Sequence, residues 1–248
     1  MEGFDAATYG EGFADVYDDW YAEVSDVEGT ADAVTALAVG GPVLELGIGT
    51  GRLALPLVDR GLEVHGIDAS PAMVERLRAK SGGASVTVVV GDFADVEAEV
   101  PGGFAVVYVA FNTLFNLSSA DAQRRCFANV AARLRPGGSF VVEAFVPDDD
   151  AAGPDGRVTP SVVEKDRVVL QVTRRDADAQ TVSGSTVSIT EAGIRLRPWV
   201  IRYAAPSELD AMASAAGLSL LHRWAGWRHE PFSDDSPRHV SVYRKSPE

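Results

Sequence analysis

Residues 43–52 read VLELGIGTGR, and this stretch decides the fold. A short strand ends near Glu45, and Gly47, Gly49 and Gly51 alternate through the turn that follows. Glycine lets a backbone turn sharply and approach a ligand without a Cβ in the way. A dinucleotide fingerprint has a further glycine three residues after its second one, and Arg52 occupies that place here. The turn therefore favours a nucleotide-like cofactor that carries no phosphate.

Strand-like and helix-like segments alternate on either side of this turn. Ser70 and Pro71 begin one helix, Ser119 begins another, and Pro136-Gly137-Gly138 is expected to end the second. Repeated β-α-β units of this kind predict a Rossmann-like, doubly wound α/β fold with helices on both faces. Five buried parallel strands are expected at 42–47, 62–67, 85–90, 104–110 and 139–145.

The pattern changes at an acidic turn, 147–156. Three strand-like runs then follow without an intervening helix, which predicts an antiparallel β insertion after strand five, spanning 147–203. A helix and two further strands are expected to complete a seven-stranded sheet. We therefore interpret residues 1–248 as one domain that carries the insertion as a lid. The expected elements are strands at 166–174, 181–189 and 193–203, a helix at 206–216, and strands at 218–225 and 238–244.

Charge and composition exclude several classes of function. The formal net charge is −14 and the basic residues are scattered, which argues against a nucleic-acid partner. No apolar run is long enough to span a bilayer and the start is acidic, so we expect a cytoplasmic protein without a membrane partner. The single cysteine, Cys126, falls on the apolar face of a helix, and no cluster predicts a metal site.

Two carboxylates stand at the tips of successive predicted strands. Asp68 ends strand two, where it can accept hydrogen bonds from both ribose hydroxyls. Asp92 ends strand three, where it can accept from the exocyclic amine of adenine. Met73 and Phe93 offer apolar surfaces to the ring. Because the carboxyl ends of parallel strands meet at one edge of the sheet, these residues describe an adenosine site.

ELGIGTGR, GIDASPAM, VVGDFAD and LRPGGSFVVE resemble the ordered motifs of class I S-adenosylmethionine-dependent methyltransferases over about residues 40–145. YGEGFADVYDDWY and VAFNTLFNL also resemble a bacterial subset that includes sugar-amine N-methyltransferases, in which a histidine often stands at the position of Asn116. The resemblance implies S-adenosylmethionine as the cofactor. The residues implied to hold it are Tyr9, Tyr17, Glu45, Gly47, Gly49, Gly51, Arg52, Asp68, Ala69, Met73, Asp92, Phe93 and Ala110.

The acceptor is expected beside the carboxyl ends of strands four and five. Asn112 and Asn116 follow strand four, and Asn116 and His229 are the candidate catalytic residues. The lid and the loop after the penultimate strand add Trp199, Arg202, Tyr203 and Trp227 as candidate substrate-binding residues. Simpler interpretations remain for several of these candidates: the tryptophans as packing residues, Arg202 as a partner of an acid, and His229 as a solvated loop residue. Two further histidines, His65 and His222, lie in predicted strands and are interpreted as structural.

Methyl transfer needs mainly proximity, orientation and a dry cavity. A hydroxyl acceptor would benefit from a base, for which His229 and His239 are available, whereas a neutral amine needs none. The sequence thus predicts methyl transfer to a nitrogen or oxygen of a small molecule, in natural-product metabolism such as antibiotic biosynthesis. The alternatives are a non-catalytic S-adenosylmethionine-binding protein and a nicotinamide-dependent oxidoreductase. For the insertion, the alternative role is a homodimer interface.

Overall fold

The computed structural model of the protein describes residues 3–21, 25–95, 100–147 and 156–247. Its helices are α1 (Thr8–Phe13), α2 (Tyr17–Tyr21), α3 (Val27–Ala38), α4 (Ala54–Asp59), α5 (Pro71–Ala79), α6 (Ala120–Arg133) and α7 (Pro206–Ala215). Its strands are β1 (Val43–Leu46), β2 (Val64–Asp68), β3 (Thr87–Val90), β4 (Phe104–Val109), β5 (Leu134–Phe145), β6 (Arg157–Val163), β7 (Arg167–Asp176), β8 (Thr181–Thr190), β9 (Gly193–Arg202), β10 (Leu218–Trp224) and β11 (Arg238–Lys245).

Seven strands form the main sheet in the order β10-β11-β5-β4-β1-β2-β3. The strands from β5 to β3 are all parallel, and Val43 of β1 pairs with Val64 on one side and Val106 on the other. β11 runs antiparallel to both β5 and β10, so β10 has the same direction as β5. The predicted seven-stranded, doubly wound sheet is confirmed. Its strand order reverses next to β1, which is where ligands bind in such sheets.

Apolar clusters cover the two faces of this sheet. On one face, the side chains of α6 and α7, Phe127 and Leu209 among them, pack on Phe140 of β5. On the other face, α3 and α4 pack on β1, β2 and β4. Strand runs of Val, Leu and Phe that are buried on both sides are typical of parallel sheets.

The predicted helix starts are confirmed by side-chain caps. The Ser70 Oγ accepts from the Met73 N–H at 3.2 Å, and the Ser119 Oγ accepts from the Ala122 N–H at 3.1 Å. The predicted end of α6 at Pro136 is wrong. The helix stops at Arg133, because Leu134 already has extended dihedral angles and pairs with Phe104 of β4.

The insertion after β5 is a separate four-stranded antiparallel sheet, β6-β7-β8-β9. Three of its strands match the prediction and the first, β6, was not predicted. β6 lies at the edge of the sheet, contains Pro160 and has a register irregularity between Pro160 and Val162, so its sequence lacks a clear alternation. Residues 148–155 of the predicted acidic turn lie outside the described residues.

In the described ranges, every helix is too short or too polar to cross a bilayer.

Candidate functional site

The turn after β1 depends on its glycines. Gly47, Gly49 and Gly51 have φ values of 68°, 54° and 78°, a region that other residues rarely adopt. A Cβ on Gly47 would lie 2.4 Å from the Thr113 Cγ2, and one on Gly51 would lie 2.5 Å from the Leu77 Cδ1. Close packing on both sides therefore reserves this turn for glycine, and the surface at Gly47 and Gly49 is left open as bare backbone.

Asp68 joins this turn to the tip of β2. Its Oδ2 accepts from the Gly49 N–H at 2.7 Å, and its Oδ1 accepts from the Ser70 N–H at 2.8 Å. Burial raises the pKa of the Asp68 carboxyl, and the two backbone donors oppose that rise. Each carboxylate oxygen has further acceptor capacity, so a pair of ribose hydroxyls can bind here.

Two adjoining cavities, which share Tyr17, Gly47 and Thr113 in their linings, lie beside Asp68; together we call them the cofactor cavity. At one end it is lined by Asp92, Phe93, Met73 and Ala69. The Asp92 Oδ1 accepts from the Ala94 N–H at 2.8 Å, which fixes the carboxylate at the tip of β3. A carboxylate beside two apolar side chains fits an adenine ring with its exocyclic amine.

Glu45 and Arg52 line the other end of the cofactor cavity, together with Tyr17. Glu45 is buried and accepts from the Tyr108 hydroxyl at 2.7 Å. Burial raises the pKa of its carboxyl to about 8, although Tyr108 and Arg52 both oppose the rise. Within the described residues, the buried Arg52 Nε has no hydrogen-bond partner.

The side chains of Glu45 and Arg52 can together bind the amino acid part of a ligand. A buried carboxyl and a half-buried guanidinium with a free Nε–H are complementary to an ammonium and a carboxylate carried on one carbon. The residues present therefore fit the methionine end of S-adenosylmethionine as well as its adenosine end.

Comparisons with known proteins agree with this geometry. Residues 43–138 match the methyltransferase domain family. The CcbJ methyltransferase from Streptomyces caelestis, whose structure is known, is 41% identical in sequence to this chain. The two structures superpose over 98% of this chain and 100% of CcbJ, with a TM-score of 0.89.

The chain belongs to the S-adenosylmethionine-dependent methyltransferases. The cypemycin N-terminal methyltransferase of Streptomyces sp is 26% identical over 83% of this chain and 84% of its own length. CalS10 of Micromonospora echinaspora, an amino pentose methyltransferase solved with S-adenosylmethionine bound, shares the fold at 22% identity, with coverage of 93% and 97% and a TM-score of 0.69.

The structure brings together most residues predicted to hold the cofactor. One group lines the adenosine end and the other the Glu45 end, with Tyr17 and Gly47 shared. Gly51 lies behind the turn, against Leu77. The lining residues that were predicted are Tyr9, Tyr17, Glu45, Gly47, Gly49, Arg52, Asp68, Ala69, Met73, Asp92, Phe93 and Ala110.

The predicted acceptor residues are spread over several places. Asn116 lines the cofactor cavity. Asn112 and Trp227 line a second cavity, described below. Trp199 packs behind α1, against the cluster of Phe13 and Met73. These assignments to the acceptor remain predictions.

Arg202 and Tyr203 are engaged elsewhere, and the geometry does not support a role in binding the acceptor. Arg202 is 6% exposed, and its guanidinium donates at 2.6 Å to each of Gln123, Gln180 and Glu208. The buried Tyr203 ring packs on Phe145, and its hydroxyl accepts from Arg175. Arg202 was a candidate substrate-binding residue of the lid, but the end of β9 is buried against α6 and α7, and its ion pair with Glu208 agrees with the alternative of an acid partner.

Neither histidine proposed as a base reaches the cofactor cavity. His229 is exposed, and its ring lies 4.0 Å from that of Trp224. His239 is fully buried in β11, where its Nδ1 is 2.9 Å from the Ser241 Oγ, and burial lowers its pKa to about 4. His65 is held by Glu63 in the interior of β2, as expected of a structural histidine.

Sequence reasoning missed Phe111 and Glu143. Phe111 and Asn112 both have positive φ, at 50° and 64°, directly after β4. The Glu143 Oε2 accepts from the Phe111 N–H at 2.7 Å, and the Asn112 Oδ1 accepts from the Phe145 N–H at 2.7 Å. These bonds hold a strained loop at the cofactor cavity. An acidic residue inside the buried run SFVVEAF was the available signal for Glu143.

Proposed function

We propose that this methyltransferase transfers the methyl group of S-adenosylmethionine to a nitrogen or oxygen of a small molecule in natural-product metabolism. The cofactor supplies a methyl group that is activated by a positively charged sulfur. The main support is that the N-terminal segment covers the cofactor cavity. Its residues in the cavity lining are Phe4, Tyr9, Gly10 and Tyr17. A covered cavity favours an acceptor small enough to enter it.

The relatives support a natural product as the acceptor. The name of the cypemycin relative specifies N-terminal methylation, and structures with the same fold include an amino pentose methyltransferase of calicheamicin biosynthesis and a sugar N-methyltransferase. All three names describe methylation of nitrogen or of an amino sugar. We therefore propose that nitrogen is the preferred acceptor atom, with oxygen as the second possibility.

We also propose that the insertion, residues 147–203, acts as the lid on this site through α1. Arg197 of β9 donates to the Gly12 carbonyl at 3.0 Å and to Asp15 at 3.1 Å, and its guanidinium lies over the Trp20 ring. Arg195 also pairs with Asp15. The face of β9 that carries Arg195, Arg197 and Trp199 thus holds the N-terminal helices in place, while Ile194 and Leu196 on the opposite face are exposed.

The chain's own residues are proposed to bind, orient and exclude water. Asp68 and Asp92 fix the adenosine, Glu45 and Arg52 fix the amino acid end, and α1 closes the cavity. Among the described lining residues of the cofactor cavity there is no histidine, lysine or cysteine to act as a base. An amine that enters unprotonated needs none, which agrees with the preference for nitrogen.

A radiochemical assay tests the proposal. The purified protein is incubated with S-adenosylmethionine tritiated on the methyl group and with small-molecule extracts of natural-product-producing bacteria. Transfer of tritium to a small extractable product is expected, and Asp68→Ala protein should transfer far less. Cofactor binding without transfer to any fraction would instead support a non-catalytic binding protein.

A further inference from the structure

A second cavity lies beside the cofactor cavity, at the carboxyl ends of β4 and β5 and next to the loop after β10; we call it the Glu143 cavity. Its lining includes Phe111, Glu143, Phe145, Trp227 and Glu230. Phe111 lines both this cavity and the Glu45 end of the cofactor cavity, and its ring lies 5.9 Å from the Arg52 guanidinium. The two cavities thus adjoin at Phe111.

The charged side chains that line the Glu143 cavity are mostly acidic. Asp26, Glu143 and Glu230 are carboxylates, and Arg238 is the one basic residue among the described lining residues. Asp26 is already paired with Arg228 at 2.6 Å. Glu143 differs because it is only 8% exposed and has no basic partner in the described part of the chain. A buried carboxylate without a positive partner is costly unless a ligand supplies one.

Glu143 has unused acceptor capacity. Its Oε2 accepts from the Phe111 N–H, while its Oε1 has no hydrogen-bond partner among the described residues. The carboxylate is therefore anchored by one oxygen, and the other oxygen can accept from a ligand N–H. Aromatic rings of Phe111, Phe145 and Trp227 share the lining, and such rings favour a cation beside them.

Trp227 provides a second, independent sign of a ligand. Its side chain is 4% exposed, and its indole N–H is buried without an acceptor in the described residues. Buried indole N–H groups usually find a partner. A ligand with an oxygen near its amine would provide this acceptor while its nitrogen meets Glu143.

We propose that the Glu143 cavity is the acceptor subsite and that it binds an amine carrying a neighbouring hydroxyl or carbonyl oxygen. Glu143 binds the amine as an ammonium and accepts its proton through the oxygen that Phe111 does not occupy, which leaves a neutral nitrogen for methyl transfer, and Trp227 donates to the neighbouring oxygen. Phe111, held in its strained conformation by Glu143, lines both this subsite and the Glu45 end of the cofactor cavity, so the two sites adjoin at this residue. This assignment rests on the proposed function and specifies the substrate class for it.

The test uses two probes that differ in one group. 2-Phenylglycinol carries an amine and a neighbouring hydroxyl, and 1-phenyl-1,2-ethanediol replaces that amine with a second hydroxyl. Each is titrated into the full-length, ¹⁵N-labelled protein saturated with S-adenosylhomocysteine, and the indole N–H signals are followed by NMR. The Trp227 signal is assigned by its absence in Trp227→Phe.

We expect the amine to shift the Trp227 signal and to bind at least tenfold more tightly than the diol. The preference should fall below threefold in Glu143→Gln, whose amide oxygen can still accept from the Phe111 N–H, and should persist in the control Glu164→Gln on the exposed edge of the insertion. Equal binding of the two probes, an unshifted Trp227 signal, or a preference retained in Glu143→Gln would overturn the assignment.

The outcomes also separate this inference from the function on which it rests. Failure to saturate the protein with S-adenosylhomocysteine would contradict the proposed function. Saturation without any preference for the amine would contradict the acceptor subsite alone. If Glu143→Gln does not fold, the comparison of the two probes on the unmodified protein, with the Trp227 signal as the reporter of position, still decides the question.

Discussion

The backbone N–H of Gly49 donates a 2.7 Å hydrogen bond to the Oδ2 of Asp68, so the glycine turn after β1 and the carboxylate at the tip of β2 form one unit. The turn places bare backbone at the cavity wall, and the bond fixes the rotamer of the carboxylate. A bound ribose would therefore donate its hydroxyl hydrogen bonds to a preorganised carboxylate, so less side-chain entropy is lost on binding.

Replacing Asp68 with alanine should weaken binding of the cofactor. Loss of a charged hydrogen-bond acceptor costs about 1.5–3 kcal/mol, which is roughly a 10- to 150-fold increase in Kd. Calorimetric titration with S-adenosylhomocysteine measures this change. Asp59→Asn, on the exposed surface of α4, is the control and should bind as the unmodified protein does. An unchanged Kd in folded Asp68→Ala would show that Asp68 does not contact the ribose.

Glu45 should make the stability of the cofactor-free protein depend on pH. Its folded-state pKa of about 8 lies above the value of 4.5 expected for an unfolded chain. Unfolding between these values releases a proton, so this carboxyl lowers stability progressively as the pH rises from about 4.5 to 8. Glu45→Gln should therefore have a Tm close to that of the unmodified protein at pH 5, and a Tm higher by roughly 5 °C at pH 8.

Thermal denaturation of both proteins across this pH range checks the expectation. Glu75→Gln, exposed on α5, serves as the control and should show no such trend. A Tm difference that stays constant from pH 5 to pH 8 would mean that Glu45 is ionised throughout in the folded protein.

Asn116 should matter for turnover more than for cofactor binding. It lines the cofactor cavity close to Thr113, but the adenosine and amino acid ends have their own polar groups. We expect Asn116→Ala to reduce kcat at least tenfold, while Kd for S-adenosylhomocysteine changes less than threefold. Measuring kcat and Kd on the same preparation tests this, and full turnover would remove Asn116 from the acceptor side.

Replacing Trp199 tests the proposal that the insertion acts as a lid through α1. It packs against Phe13 and Met73, so Trp199→Ala should loosen α1 over the cavity and reduce turnover by about tenfold or more. Leu196→Ala, on the exposed opposite face of the same strand, is the matched control and should keep most of its activity. If Trp199→Ala turns over as well as the control, the insertion has another role, such as the homodimer interface considered as its alternative.

The sequence predicted the cofactor side of this protein better than its acceptor side, for a physical reason. The glycine turn, Asp68 and Asp92 each belong to a strand tip, and parallel strands bring such tips together wherever the helices lie. Their positions follow from short segments of sequence. The sequence also predicted that the last two strands complete the main sheet, whereas their order and direction were established only by the structure.

The acceptor side depends on contacts between distant segments. Arg202 was a candidate substrate-binding residue of the lid, but Gln123 of α6 and Glu208 of α7 accept hydrogen bonds from its guanidinium. His229 was expected near the reacting atoms, but its loop turns it onto Trp224. Glu143 is visible in the sequence as an acidic residue within a buried strand. Its role depends on the strained loop at Phe111, however, and no local sequence pattern predicts that conformation.

Isothermal titration calorimetry with two cofactors tests the central claim most directly. The G-x-G-x-G turn, Asp68, Glu45 and Arg52 together predict micromolar binding of S-adenosylmethionine, or of its demethylated product, and no measurable binding of NAD. Micromolar affinity for NAD, with no heat from S-adenosylmethionine or S-adenosylhomocysteine, would contradict the account.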